Sequence, residues 1–110
     1  MTYNTSNGQW ESVGSPGFLD AKEQSLVISP TGALFVAFQN SFNFKTRVMT
    51  YNTISGQWEN VGSPDFSAAF ANFQSLAIGS SGALYVAFSA GSNGSGGTTV
   101  MTYNTISGQW

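Results

Sequence analysis

MTYNTISGQW at residues 49–58 is the stretch that decides the fold, because the chain carries it three times. It returns letter for letter at 101–110, and it stands at 1–10 as MTYNTSNGQW. The chain therefore divides into repeat 1 (residues 1–48), repeat 2 (49–100) and a partial third repeat (101–110). A repeat of this length is typical of architectures in which each repeat is one supersecondary unit that packs on the next.

The two long repeats also match outside the decapeptide. QSLVISPTGALFVAF at 24–38 corresponds to QSLAIGSSGALYVAF at 74–88. The repeats differ in length only before and after these runs, at 19–23 against 67–73 and at 39–47 against 89–99. Since loops tolerate insertions far better than strands do, we interpret these variable segments as loops.

Each repeat predicts four short antiparallel strands. QSLVIS and ALFVAF are apolar runs separated by a turn that ends in glycine, which indicates an inner pair at 25–29 and 33–38. The same pattern predicts an inner pair at 75–79 and 83–88. VMTYNT alternates as a half-buried third strand should, and QWESVG follows as the fourth strand. The sequence thus predicts an all-β chain of antiparallel meanders.

Tyrosine and tryptophan recur within these repeats at a fixed distance. Tyr3 with Trp10, and Tyr51 with Trp58, have the Tyr-x6-Trp spacing of the kelch motif. The chain also resembles the W-x-x-VG…SLAI…G-x-LYVAF…V-x-x-YN repeats found in tandem in bacterial surface and secreted proteins. Kelch repeats end their second strand in two glycines, whereas this chain has Val-Ala-Phe at 36–38, so we describe it as kelch-like. The resemblance implies a β-propeller in which each repeat forms one blade.

Two blades cannot close a propeller, because rings of this kind hold about four to eight blades. Two separate blades would leave two apolar faces in water, which soluble monomers avoid. We therefore expect a cyclic homo-oligomer: four blades from a dimer, six from a trimer or eight from a tetramer. The homotrimer is favoured, because kelch-like rings commonly have six or seven blades. A segment cut from a longer array would have the same open faces.

The repeated ends are candidates for the closing blade. Third-and-fourth-strand pairs are predicted at 1–14 and 48–62, with a partial pair at 100–110. The second blade can take its outer strands from its own 100–110 or from 1–14 of a neighbouring copy. We favour a shared blade, with the third strand from 101–105 and the fourth from 9–14 of the next chain.

The composition argues against an enzyme. Histidine and cysteine are absent, so the commonest general base and the thiolate nucleophile are both missing. Asp20 and Glu23 share one loop, and Asp65 lies in the equivalent loop of repeat 2. These acids could contribute to a Ca2+ site, but the density of carboxylates is low and a solvated acidic loop is favoured. We expect no catalytic residues, no metal and no cofactor.

The charge pattern limits the partners. The chain has three basic and five acidic residues, with a net charge of −2. Nucleic acids and anionic membranes require clustered lysine and arginine, so neither is expected to bind. Residues 1–30 show no basic stretch followed by an apolar run, so no signal peptide is predicted, and the sequence does not determine the compartment.

One variable loop offers a candidate ligand site. QNSFNFKTR at 39–47 places two phenylalanines among amides and cations, which suits stacking on a sugar ring and hydrogen bonding to its hydroxyls. The candidate residues are Asn40, Phe42, Asn43, Phe44, Lys45 and Arg47. We therefore expect a multivalent binding module for a glycan or a surface partner. The alternatives are a loop that packs on its own blade, and a purely structural or minimal ancestral-type propeller with no dedicated ligand.

Overall fold

The computed structural model describes residues 1–15, 17, 20–68, 70–91 and 96–110, and the described chain is all-β. Its strands are β1 (Thr2–Asn4), β2 (Gln9–Glu11), β3 (Ala21–Ile28), β4 (Leu34–Asn40), β5 (Thr46–Asn52), β6 (Gln57–Asn60), β7 (Ala71–Ile78), β8 (Leu84–Ala90) and β9 (Thr98–Thr102). They form three antiparallel sheets: sheet 1 (β1-β2), sheet 2 (β3-β4-β5-β6) and sheet 3 (β7-β8-β9). The predicted all-β, antiparallel fold class is confirmed. No part of the described chain forms a helix of the length and apolarity that a membrane span needs.

Sheets 2 and 3 have the same strand register. Val36 lies opposite Met49 in sheet 2, and Val86 lies opposite Met101 in sheet 3. The tight turns between their first two strands are also alike, because Gly32 and Gly82 each donate a backbone hydrogen bond of 2.9 Å to the residue three positions earlier. The two repeats are therefore equivalent in backbone structure as well as in sequence.

β3 and β7 begin earlier than the apolar pattern predicts. The expected strands start at 25 and 75, whereas the observed strands start at Ala21 and Ala71. A β-bulge interrupts each strand, and its extra residue has a positive φ: 56° at Glu23 and 57° at Phe73. A bulge shifts the alternation of side chains between the two faces by one residue. The apolar alternation that begins at 25 and 75 therefore does not extend back to the true start of either strand.

The core lies between one face of sheet 2 and one face of sheet 3. Sheet 2 contributes Ala37 and Val48, while sheet 3 contributes Leu76, Val86 and Phe88. Because side chains alternate between the faces of a sheet, the core uses only one face of each. Full burial of an aliphatic side chain contributes roughly 1.5–3 kcal/mol, so this interface is the main source of the chain's stability.

The tryptophans of the outer hairpins link successive sheets. Trp58 Nε1 donates a hydrogen bond of 3.0 Å to the carbonyl oxygen of Val13, which follows sheet 1. Trp110 Nε1 makes the equivalent 2.7 Å hydrogen bond to Val61, which follows sheet 2. The same contact thus occurs twice along the chain, one repeat apart.

Candidate functional site

The loop between β4 and β5 is shorter than the segment 39–47 identified from the sequence. β4 continues to Asn40 and β5 begins at Thr46, which leaves only residues 41–45 outside the strands. Asn40 is buried at the end of β4, and Arg47 is half-buried in β5. Two of the six candidate residues therefore belong to the sheet rather than to the loop.

The carboxylate of Asp65 accepts hydrogen bonds from three polar side chains of this region. Arg47 forms a bidentate ion pair with it, Nε to Oδ1 at 3.0 Å and Nη2 to Oδ2 at 2.8 Å. Asn43 donates a hydrogen bond of 3.0 Å to Oδ2, and Asn40 donates to both carboxylate oxygens at 3.2 Å. Three predicted ligand-binding side chains thus converge on a carboxylate of the same chain. Their position indicates that they hold the loop in place.

The environment of Asp65 lowers its pKa. Burial alone would raise the pKa of the carboxyl, because desolvation penalises the charged form. Hydrogen bonds from Arg47, Asn43 and Asn40, together with the positive charge of Arg47, outweigh that cost and bring the pKa below its ordinary value of 3.8. Asp65 is therefore ionised at neutral pH and holds its three partners through charge-assisted hydrogen bonds.

The aromatic residues of the loop remain accessible. Phe42 is 77% exposed, and its backbone N–H is held by Asn40 Oδ1 at 2.9 Å. The Phe44 ring contacts the edge of Phe70 at a centroid distance of 5.3 Å, and Lys22 Nζ lies 5.9 Å from the Phe44 centroid. Phe44 and Phe70 thus form an exposed aromatic pair beside one ammonium group, and Phe42 is exposed in the same loop as Phe44. Lys45, the remaining candidate, is half-buried.

Sequence reasoning missed three members of this site: Asp65, Phe70 and Lys22. Lys22 and Phe70 come from the variable segments before the inner strands, and Asp65 lies just before such a segment, whereas the candidates were sought in the segment after those strands. The sequence did contain a signal for this pairing. Repeat 2 has the acidic Asp65 where repeat 1 has Gly17, and repeat 1 has the basic Arg47 where repeat 2 has Thr99. Only the folded chain brings the two segments together.

A second candidate site is the outer face of sheet 2, which is apolar and open around Leu26, whereas Phe38 and Met49 on the same face are buried. Leu26 is 59% exposed there, whereas its equivalent in sheet 3, Leu76, is 5% exposed in the core. Leu26, Val36, Phe38, Trp58 and Met1 line a depression of about 320 Å3 on this face. The open face thus carries the residue types that repeat 2 buries.

The outer face of sheet 3 is open in the same way. Val100 is 64% exposed, whereas its equivalent Val48 is 1% exposed between the sheets. Tyr85 is exposed on the same face, where the equivalent Phe35 packs against the core. The chain therefore presents one open apolar face at each end of its pair of packed sheets.

Metal-ligating side chains do not cluster in the part of the chain that the structure describes. Groups of three or more acidic residues that could hold a metal ion are absent among these residues. Searches against family models, curated proteins and solved structures find no match to this chain. Its function must therefore be argued from its own geometry.

Proposed function

We propose that the chain is a two-blade unit of a kelch-like β-propeller and that copies associate head to tail into a closed ring. One observation carries the proposal: the two open faces are the repeat equivalents of the two faces that pack together inside the chain. Leu26 on one open face corresponds to buried Leu76, and Val100 on the other corresponds to buried Val48. An interface that already forms within the chain can therefore form again between copies.

Polar contacts across the internal interface support the same arrangement. Thr46 Oγ1 donates a hydrogen bond of 2.7 Å to Gln74 Oε1, and Gln74 is itself held by Nε2 donating to the carbonyl of Ala71 at 2.9 Å. In repeat 1, the exposed Gln24 is held in the same way by the carbonyl of Ala21 at 2.9 Å. Gln24 is thus oriented to accept a hydrogen bond from Thr98, the equivalent of Thr46, on another copy.

The proposed contact joins two different faces, so it is heterologous and must either close into a ring or grow into a filament. Strand twist rotates each blade relative to the next, which favours closure. The number of blades must be even, and six blades from a homotrimer is the favoured ring, with the dimer and the tetramer as alternatives.

Mass in solution tests the association directly. We expect light scattering coupled to size exclusion to give three times the chain mass of 11.6 kDa, at a value that does not change with concentration. Twice or four times that mass would replace the trimer with another closed ring. A stable monomer would contradict the proposed association, and a broad, concentration-dependent distribution would indicate filaments instead of a ring.

We also propose that the ring is a non-enzymatic binding module for glycans, and the observation that favours this is the exposed patch at Phe42 and Phe44. Exposed aromatic rings stack on the apolar faces of sugars. A ring of copies presents identical patches together, so weak sites gain avidity. The alternative is a purely structural, self-assembling protein with no dedicated ligand.

Phe42→Ala separates these two roles. Because Phe42 is 77% exposed, the variant is expected to keep the mass and the unfolding midpoint of the parent. Glycan-array binding by the assembled parent, with about a tenfold or greater loss in Phe42→Ala, supports the binding module. Ile54→Ala is the matched control, since Ile54 is an apolar side chain that is 98% exposed on a different turn. Absence of binding by the assembled parent would favour the structural role.

A further inference from the structure

Hairpin 1–10 and hairpin 101–110 are folded units of the same shape. In each, a tyrosine and a tryptophan pack with ring centroids 5.3 Å apart: Tyr3 with Trp10, and Tyr103 with Trp110. The same backbone hydrogen bond of 2.8 Å closes both turns, from Gly8 to Asn4 and from Gly108 to Asn104. Two hairpins with nearly the same sequence and the same internal contacts can occupy the same place.

The place that accepts hairpin 101–110 is well defined. Trp110 Nε1 donates to the carbonyl oxygen of Val61 at 2.7 Å, and its ring stacks on Phe66 at 4.7 Å. Gly62 packs closely beneath, since a Cβ atom there would lie 3.1 Å from the Trp110 ring. Trp10 has the same position in its own hairpin, yet its side chain is 64% exposed.

Backbone pairing and side-chain hydrogen bonds close the hairpins. Hairpin 101–110 is joined across its strands by one isolated bridge, Asn104 with Gln109. Hairpin 1–10 opens a sheet with three paired positions that extend to Glu11. Asn4 and Asn7 both donate hydrogen bonds to Glu11 Oε1, at 2.6 and 3.1 Å. Glu11 therefore ties the turn of the N-terminal hairpin to its second strand.

We propose that, where two copies meet, hairpin 1–10 of one copy replaces hairpin 101–110 on sheet 3 of the other. This inference rests on the proposed association and specifies its junction. β1 continues the third strand on β8 beyond Val100, and Trp10 Nε1 donates to the carbonyl oxygen of Val61 in the other copy. The internal register, in which Thr102 lies opposite Tyr85, places Thr2 opposite Tyr85 across the junction.

Whole hairpins exchange, rather than single strands, because each tyrosine–tryptophan contact joins the two strands of one hairpin. A blade that combined a third strand from 101–105 with a fourth strand from 9–14 would replace two ring contacts, Tyr103–Trp110 and Tyr3–Trp10, by a single one between Tyr103 and Trp10. Exchange of the complete hairpin retains the ring contact within each hairpin and seats Trp10, which is otherwise exposed, in place of Trp110. The mixed blade predicted from the sequence is therefore less favourable than a full exchange.

Disulfide trapping in the full chain tests the exchange, and the absence of native cysteine removes background pairing. Directly opposite residues of adjacent strands come close enough for a disulfide. We expect oxidised Thr2→Cys/Tyr85→Cys to give chains linked to one another on a non-reducing gel. Thr5→Cys/Tyr85→Cys is the control for random collision, since Thr5 lies in the turn of the same hairpin and is expected to remain unlinked. Thr102→Cys/Tyr85→Cys should close a bond within one chain and block the exchange.

Two conservative variants give an independent readout. Trp→Phe keeps a ring but removes the N–H donor, so Trp10→Phe is expected to raise the dissociation constant of the assembly by about three- to tenfold. Trp110→Phe should lower it by a similar factor, because the hydrogen bond of Trp110 to Val61 competes with the exchange and is lost when that hairpin is displaced. The reverse result, or an assembled Thr2→Cys/Tyr85→Cys variant without interchain links, would overturn the exchange while leaving the association intact. A monomeric parent chain would overturn both.

Discussion

At the scale of single residues, Asp65 determines the shape of the candidate ligand loop. It stands where repeat 1 has Gly17, and both positions have a positive φ, 55° and 64°. Asparagine and aspartate tolerate this conformation better than other residues with a side chain. Asp65 therefore accepts the backbone of the glycine position and adds a carboxylate that binds Arg47 from β5. One substitution between the repeats thus distinguishes the two loops.

Replacement of Asp65 by asparagine is expected to lower the free energy of unfolding at pH 7 by about 2 kcal/mol. Asparagine has nearly the same size as aspartate and also tolerates a positive φ. The loss of stability therefore measures the contribution of the negative charge. Because the pKa of Asp65 is lowered on folding, its stabilisation is complete above 3.8 and is lost as the pH falls through the folded-state pKa. Urea unfolding at pH 7 and at pH 3 measures both effects.

The exposed Asp20→Asn is the matched control and should change stability little at either pH. Parent and Asp65→Asn are expected to differ less at pH 3 than at pH 7, because protonation removes the same charge. A difference that is equally large at both values would show that the carboxylate charge is not the source of the stabilisation.

At the scale of secondary-structure elements, the Val-Gly pair after each fourth strand connects one sheet to the tryptophan of the next. The valine carbonyl accepts the indole N–H, and the glycine lies under the ring. Gly14 and Gly62 both have a φ of 73°, so each leaves the fourth strand in a conformation that favours glycine. The pair therefore sets both the chain direction and the distance between successive sheets.

Gly62→Ala is expected to destabilise the chain by about 2–3 kcal/mol, from backbone strain and from the contact of the new methyl group with aromatic rings. A Cβ atom at this position would lie 3.0 Å from Tyr103 and 3.1 Å from Trp110. Gly82→Ala is the control: Gly82 also has a positive φ, but its Cβ would have no neighbour within 4 Å. Thermal unfolding of both variants separates the two causes, and equal losses would exclude the ring contact as one of them.

At the scale of the whole molecule, the decisive feature is that each of the two main sheets packs one face on the other sheet and leaves apolar side chains exposed on its outer face. The interface within the chain buries the inner faces of both sheets, whereas Leu26 and Val100 are exposed on the outer faces. Burial of apolar area is favourable wherever geometry permits it, so these faces are the natural sites of association.

Leu26→Asp is expected to abolish the assembly and leave a folded chain, because Leu26 is mostly exposed in the single chain. Leu76→Asp at the equivalent core position is expected to unfold it, since a buried unpaired carboxylate costs about 4 kcal/mol or more. Light scattering and circular dichroism together distinguish the outcomes. An assembly of unchanged mass in Leu26→Asp would remove the outer face of sheet 2 from the proposed interface.

Much of the fold could be predicted because the repeat presents the same pattern twice. The alternation of apolar and polar residues predicted the antiparallel strands, and the turns ending at Gly32 and Gly82 formed where expected. The starts of β3 and β7 could not be predicted from the sequence. The bulges there have positive φ values at Glu23 and Phe73, and glutamate and phenylalanine rarely adopt this conformation.

The candidate site was predictable only in part. The exposed phenylalanines were recognisable as an unusual feature of a polar loop. The role of Arg47 and Asn43 was not, because their partner Asp65 is distant in sequence and belongs to another loop. Pairing between polar side chains that are distant in sequence depends on how the strands bring them together, so it cannot be predicted from a local sequence pattern.

The sequence by itself determined the repeat, the all-β class and the antiparallel order of the strands, because these depend on local periodicity and turn residues. The tertiary structure alone decided which faces are buried, which side chains Asp65 binds and where the tryptophans of successive hairpins attach. The physical reason is that equivalent residues have identical local preferences, yet Leu26 and Leu76 differ in burial from 59% to 5% exposed. Only the presence or absence of a neighbouring sheet makes that difference.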